Sequence, residues 1–564
     1  MRERQKAGRR LLVLGAGALA LLLTGCVGIP TSSRVTVGQE LAQEDVGDFE
    51  FFPLAPAPGA DQEEILVGFV AAFTGSDGDY GVARQFLSSG FAEDWNPRSN
   101  VTLRTSAQRY TVLDATTMEY SVNATATVDS IGQLRQPSDP VPLTLRFGFV
   151  SENGQWRISE APDGIVLADA TFQAIFDAHS LYFLDPTSDR LVPDLRWFPA
   201  GTAARRVATA VLDGPPSWLR GSARSAFPEG TRLESPGLEV DSGVAIVDLS
   251  TEALAADAGE RQLMQLQLTA SLSNVPNIRR VSLSVGGAPL VIPEPRPSAP
   301  QPNPQVDARA VVLRDDAFGY LVRDGVTPIA GLNDKVVAVA PTGATLARDA
   351  TSAAVRGNDG VWFIPEGDTP STLLDTRSDL LVPSMDDYGF VWVASRADAT
   401  VVRVYSAAGV GVDLPTGLSP DSTLAAVAVS RDGARVAILA STPVGPRLVV
   451  KAIVRDANSA QAPSGLSESV LDVTSSSLVA IDATWVDELS VAVLSGSTAQ
   501  RIVTVYEVGG ERSTLGQPGD AASLVGGNGG AGLRAVSDTG SVLARSGNGW
   551  TDTRVEVSFI ATQR

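Results

Sequence analysis

The hydrophobic and polar positions change their spacing several times along the chain, and each change marks a candidate element. Residues 11–23, LLVLGAGALALLL, are an unbroken apolar run. From 27 to about 62 the chain is polar, acidic and without a sustained period, as in SSRVTVGQELAQED. Ile65, Leu66, Phe69, Val70 and Phe73 then recur at helical spacing, and Val82, Phe86 and Leu87 begin a second helical face. Farther on, Leu143, Leu145, Phe147 and Phe149 alternate with period two, which predicts a half-buried strand. Asn153-Gly154 predicts a tight hairpin turn returning through Trp156 and Ile158.

Residues 194–290 mix both periods. A helix is expected over TAARRVATAVL and stopped by Gly214-Pro215, and Pro228 and Gly230 turn the chain. A second helix is expected around RQLMQLQLTASLSNVPNI, with Asp248 and Ser250 as candidates to cap it. Val281, Leu283 and Val285 then alternate as a strand. PEPRPSAPQPNP, residues 293–304, carries six prolines in twelve positions, so it predicts an extended, semi-rigid linker that cannot pair in a sheet. Beyond it, one grammar repeats about every 40 residues: apolar strand, turn rich in Asp and Gly, second strand. AVAVSRDGARVAIL, with Asp432-Gly433 as its turn, is the clearest copy, and KVVAVAPTGATL opens another. Six such copies predict a β-propeller of five to seven blades, with a β-sandwich as the alternative.

The helix–GDY–helix opening and the NGQWRI close resemble the NTF2-like cone fold. The string LDGP…FPEGT…VDLS…LTASLSNVPNIRRVSLSVGG resembles the GerMN domain of sporulation and germination proteins. The expected fold class is therefore multidomain: an α+β NTF2-like domain, an α+β GerMN domain and an all-β C-terminal propeller. The expected layout is a signal at 1–25, a flexible tether at 26–62, the NTF2-like domain at 63–165, the GerMN domain at 166–292, the Pro-rich linker at 293–306 and the propeller at 307–564.

Charge changes how the N-terminal apolar run reads. Arg2, Arg4, Lys6, Arg9 and Arg10 precede it, and thirteen uncharged residues are too few to span a bilayer comfortably, so the pattern is that of an export signal. The run ends Leu23-Thr24-Gly25-Cys26, and Cys26 is the only cysteine in the chain. That exit resembles the bacterial lipobox, which implies cleavage between Gly25 and Cys26, an S-diacylglyceryl group on the Cys26 sulfur and N-acylation, commonly with palmitate. A multiply acylated cysteine anchors firmly, at about 0.8 kcal/mol per buried methylene. No later apolar run approaches 18 residues, so a second anchor is not expected. Without residues 1–25 the chain holds 39 Lys+Arg against 63 Asp+Glu, a net charge of −24 that argues against nucleic acid and against lying flat on anionic lipid.

Candidate chemistry is sparse. His179 is the sole histidine, in the apolar stretch AIFDAHSLYFLD, and reads as a hydrogen-bonded structural residue rather than a base. With only Lys6, Lys335 and Lys451 there is no Ser-x-x-Lys, and neither a phosphate loop nor a Gly-x-Ser-x-Gly elbow occurs. Gly527–Gly532 matches G-x-G-x-x-G, but strand and turn follow it, so it reads as a propeller loop. Asp315-Asp316 and Asp386-Asp387 offer paired carboxylates for Ca²⁺ or glycan chemistry, with ordinary turn acids as the simpler reading. Asp77 and Asp79 lack the remaining spacing of a calcium loop. No metal, cofactor or catalytic residue is expected, and the chain is not expected to be an enzyme.

Taken together, lipobox, NTF2-like domain, GerMN domain, Pro-rich hinge and terminal propeller resemble one actinobacterial family, the LpqB lipoproteins. That resemblance implies a protein anchored on the extracytoplasmic face of the cell membrane. There it would serve as accessory to the MtrAB two-component system, touching the sensor kinase MtrB in envelope and division control. The alternatives are a scaffold binding cell-wall polymer, or a glycan hydrolase or lyase using propeller carboxylates.

Overall fold

The computed structural model describes residues 53–564, apart from 235–237, 295–297, 324, 457–460, 475–478 and 498–499. The export signal, Leu23, Thr24, Gly25, Cys26 and most of the tether lie outside the described residues, as does the middle of the Pro-rich linker.

The first helix, α1 (Gln62–Ala71), starts where its orphan amides are met: Asp61 accepts from the Glu64 amide and Glu64 accepts from the Asp61 amide, each at 2.9 Å. Its buried face is Ile65, Leu66, Phe69 and Val70, as the spacing predicts. In α2 (Asp77–Arg84) residues 78–80 have left-handed backbone, so the helix is kinked. Strands β1 (Asn100–Asp114), β2 (Thr117–Asp129), β3 (Leu134–Arg135), β4 (Val141–Glu152), β5 (Gln155–Glu160) and β6 (Ile165–Ala168) form one sheet. Its order is β5-β4-β2-β1-β6, with β3 on β2 and β6 parallel to β1. The β4–β5 hairpin turns at Asn153 and Gly154, both at positive φ. The helices cover the sheet through an aromatic cluster of Phe69, Phe73, Trp95 and Phe147, each ring worth about 2–3 kcal/mol on burial. Phe172 of α3 (Asp169–Ile175) completes this core.

The second module opens with a hairpin, β7 (Phe176–Leu184) and β8 (Leu191–Pro199). Every residue of β8 is buried. After α4 (Ala203–Leu212), ended at Gly214 in positive φ, come β9 (Glu239–Asp241), β10 (Val244–Leu249), α5 (Ala258–Leu272), β11 (Arg280–Val285) and β12 (Ala288–Pro289). The sheet order is β12-β11-β10-β9, with β10 and β11 parallel and α5 as the crossover. The α5 cap differs from expectation. Asp257 and Glu260 form the capping box, whereas Asp248 accepts from Ser284 Oγ and the Gly287 amide inside the sheet. Ser250 instead accepts from the Arg232 amide. The helix begins ten residues beyond Asp248, after a 3₁₀ turn over Thr251–Ala255, so the early candidates lie too far upstream.

The repeats build a propeller of six four-stranded blades. Blade 1 takes three strands from 311–328 and its innermost strand from Phe559–Gln563, which pairs antiparallel with Val311–Leu313 and parallel with Thr345 and Leu346 of blade 2. Blades 2 to 6 span 343–375, 384–415, 423–474, 480–514 and 521–556. The apolar KVVAVA, expected as a strand, is instead part of helix α6 (Asn333–Ala338). Val336 is buried in the core of blades 1 and 2, and Asn333 Oδ1 accepts from the Phe318 amide at 2.7 Å. The described modules belong to a single compact unit.

Candidate functional site

The turn of the β7–β8 hairpin rests on one mouth of the propeller, the mouth framed by the turns between the first and second strands of blades. Asp185, fully buried, accepts from the Asp189 and Arg190 amides at 2.8 Å and from the Tyr388 hydroxyl. Arg190 reaches back across the junction, pairing with Asp387 at 3.1 Å and lying over the Tyr388 ring at 4.8 Å. Arg348 of blade 2 also meets Asp387, at 3.4 Å. Arg455 also lies over the Tyr388 ring, at 4.0 Å, and pairs with Asp386 at 2.8 Å. Burial and the Asp185 carboxylate push the Tyr388 hydroxyl well above its usual range, so it remains a donor.

A second cluster lies beside it. Arg435, with no exposed surface, pairs with Asp432, donates to the Glu488 carbonyl at 2.6 Å and sits 5.0 Å from the Trp485 ring. The Glu488 carboxylate accepts from Tyr182 of β7 and from the Asn303 amide of the linker. Burial raises the Glu488 carboxyl above its ordinary range. Removing one partner of such a buried pair strands the other, at a cost of about 3–5 kcal/mol. Two further contacts join the same face: Trp197 Nε1 of β8 donates to the Gly509 carbonyl at 2.9 Å, and Arg512 donates to the Ser138 carbonyl of the first module at 2.8 Å.

The residues singled out in the sequence fall into place against this junction. Asp386 and Asp387 are its ion-pair acceptors; Asp386 also takes the Trp392 indole N–H at 3.1 Å. Asp315 and Asp316 form an exposed turn at φ 49° and 58°. Asp79 pairs with Arg84 and with Arg98. Among the described residues no group of three or more His, Cys, Asp or Glu is placed to hold a metal. The Gly527–Gly532 loop turns between two strands of blade 6 and clasps the linker: Asn528 Oδ1 accepts from the Val306 amide and Asn528 Nδ2 donates to its carbonyl, both at 2.9 Å.

His179 corrects its sequence reading in one respect. It is buried in β7, but neither ring nitrogen has a hydrogen-bond partner among the described residues. Its ring lies near Phe198, and burial holds the imidazole below its usual range, so it is a neutral, hydrophobically packed residue. The junction residues Asp185, Arg190, Arg435 and Glu488 escaped the sequence reading. Their signal is charge in strands and turns that are otherwise apolar, as in SRDGAR at 430–435.

This arrangement defines a class: an α+β pair of domains, the second GerMN-like, joined by an ion pair and buried hydrogen bonds to a six-bladed propeller. Comparison with known proteins narrows it. The family model described as lipoprotein LpqB, N-terminal domain, matches residues 55–173; sporulation and spore germination matches 180–291; and the lipoprotein LpqB beta-propeller domain matches 316–557. A lipoprotein LpqB of Cutibacterium acnes is 32% identical over 49% of this chain and 47% of that protein, so the chain spans about half the length of that relative. Another, of Rhodococcus opacus, is 27% identical over 77% of this chain and 78% of its own. The first GerMN domain of the sporulation protein GerM from Bacillus subtilis superposes with a TM-score of 0.18 and 20% identity, covering 22% of this chain and 97% of that one. The chain belongs to the LpqB lipoprotein family. Among the described residues no helix is long and apolar enough to cross a membrane.

Proposed function

We propose that the chain is a lipid-anchored, extracytoplasmic accessory protein, without catalytic activity of its own, that modulates the sensor histidine kinase MtrB of the MtrAB system. One observation carries this reading: the Arg190–Asp387 ion pair and the Tyr388–Asp185 and Tyr182–Glu488 hydrogen bonds tie GerMN module and propeller together, so a contact on one is mechanically coupled to the other. Acylation of Cys26 would hold this body in the kinase's own membrane, where tethering raises effective concentration and a weak contact suffices. A contact that prefers one kinase state shifts output by that difference in affinity. The test is crosslinking in intact membranes from photoreactive residues on the propeller and on α5, with identification of the captured protein. Capture of MtrB, and loss of regulation in an exported Cys26→Ala protein, support the reading. Normal regulation by that unanchored protein would sink it.

A further inference from the structure

The innermost strands of the propeller carry small residues, Gly343, Ala428, Ala483 and Ala522 among them, and leave an axial cavity of about 520 Å³. That volume is typical of sites for small molecules. The cavity's charge is unexpected for a chain of formal net charge −20. Four arginines line it, Arg356, Arg396, Arg431 and Arg564, and none makes an ion pair among the described residues.

Two of them frame the mouth remote from the GerMN module. Arg356 ends the second strand of blade 2, and Arg396 follows the second strand of blade 3. Those strand ends lie opposite the first-to-second-strand turns that meet the β7–β8 hairpin. Arg356 donates to Thr342 Oγ1 at 2.8 Å and to the Leu380 carbonyl at 3.2 Å. Arg396 is exposed, and its guanidinium makes one long bond of 3.5 Å, to the Leu424 carbonyl. Burial and the neighbouring Arg396 charge hold Arg356 below its usual range, the signature of two guanidiniums sharing a space without a counter-charge.

The other two arginines lie at the deep end. Arg431 and Arg564 are 5% and 6% exposed. Arg431 donates to the carbonyls of Pro304 and Gly527, and Arg564 to the Val429 carbonyl and Ser384 Oγ. Arg564 Nε has no hydrogen-bond partner among the described residues. The acids around the channel offset these charges only through space, Asp386, Asp387 and Asp432 acting on Arg564, Asp487 on Arg431 and Asp482 on Arg396, and none forms an ion pair with them among the described residues. Asp538 is committed to Arg501 at 2.7 Å, and Asp482 accepts two backbone amides at 2.8 Å while burial pushes its carboxyl up to about 7. A guanidinium cannot shed its proton to escape burial, so what compensates it must be an anion. Its planar fork fits carboxylate and phosphate oxygens two at a time.

We propose that the propeller channel binds a small oxyanion-bearing molecule, a carboxylate or a phosphate ester, entering at the mouth framed by Arg356 and Arg396. This stands apart from the kinase reading, because the ligand site is the channel whatever the protein touches outside it.

Isothermal titration of the full chain with citrate, inorganic phosphate and glucose 6-phosphate at low salt tests the proposal. At least one probe is expected to bind saturably at one site with a Kd below about 1 mM. Citrate alone assigns carboxylate chemistry; either phosphate probe alone assigns phosphate. Arg396→Gln is the key variant, since that side chain makes one long bond and its loss leaves the fold intact. It is expected to weaken binding about tenfold, and the Arg356→Gln/Arg396→Gln pair to abolish it. Arg447→Gln, whose partner Asp472 lies on the outer strands of blade 4, is expected to bind as wild type. The proposal is overturned if no probe binds saturably up to about 10 mM, or if folded Arg396→Gln protein binds as tightly as wild type.

Discussion

The two mouths of the propeller use the same residue types to opposite ends. At the mouth capped by the β7–β8 hairpin, arginine and aspartate are paired: Arg190 and Arg348 on Asp387, and, fully buried, Arg455 on Asp386 and Arg435 on Asp432. At the far mouth, Arg356 and Arg396 line the channel without an ion pair among the described residues, while Asp482 in the same wall is taken up by two backbone amides and Asp538 by Arg501. A buried cluster of charge is therefore not in itself a sign of chemistry. Where every charge has its complement the cluster is mortar; where complements are missing, the structure has left room for something else.

Four measurements would break or sharpen this contrast. Arg435→Met strands Asp432 and should cost about 3–5 kcal/mol in thermal or denaturant unfolding, with much of that recovered in the Arg435→Met/Asp432→Leu pair. A loss confined below about 1 kcal/mol would mean this mouth of the propeller is not held by charge. Asp387→Asn removes the shared acceptor of Arg190 and Arg348 and should cost about 1–3 kcal/mol, read as earlier protease cleavage within 293–306. His179→Leu tests the unpartnered imidazole. Burial depresses the folded-state value below the ordinary 6.5, so the unfolded chain takes up the proton first. Wild-type stability is therefore full above that value and falls as pH drops below it, whereas the leucine variant should lose this part of the pH dependence. Equal slopes for the two proteins between pH 7 and 5 would refute the assignment. The smallest effect is expected for Arg396→Gln, within about 0.5 kcal/mol of wild type in stability, because nothing at that mouth depends on its charge for folding.

What the sequence disclosed follows the range of the interactions involved. The buried face of α1, the Asn153-Gly154 turn and the Asp432-Gly433 hairpin are local, set by residues a few positions apart, and were legible. The propeller was legible too, since repetition supplies the same local signal six times. The hairpin 176–199 was not: packed on both faces by different modules, it shows no alternation, and its buried Asp194–Arg196 pair looks like surface polarity on paper. KVVAVA is apolar enough for strand or helix, and packing decided for α6. The channel arginines were invisible for another reason. Sequence reveals an arginine but not the absence of an acid beside it.

The pairing of Phe559–Gln563 with both blade 1 and blade 2 has a temporal consequence. Chains are made from their N-terminus, so the strands at 311–328 and 343–346 wait for a neighbour that arrives more than 200 residues later. Until then both present naked sheet edges to whatever is nearby, including another copy of themselves. The ring is latched by its last-made strand, which makes the nascent interval the protein's most vulnerable hour and a natural point for a folding helper to act.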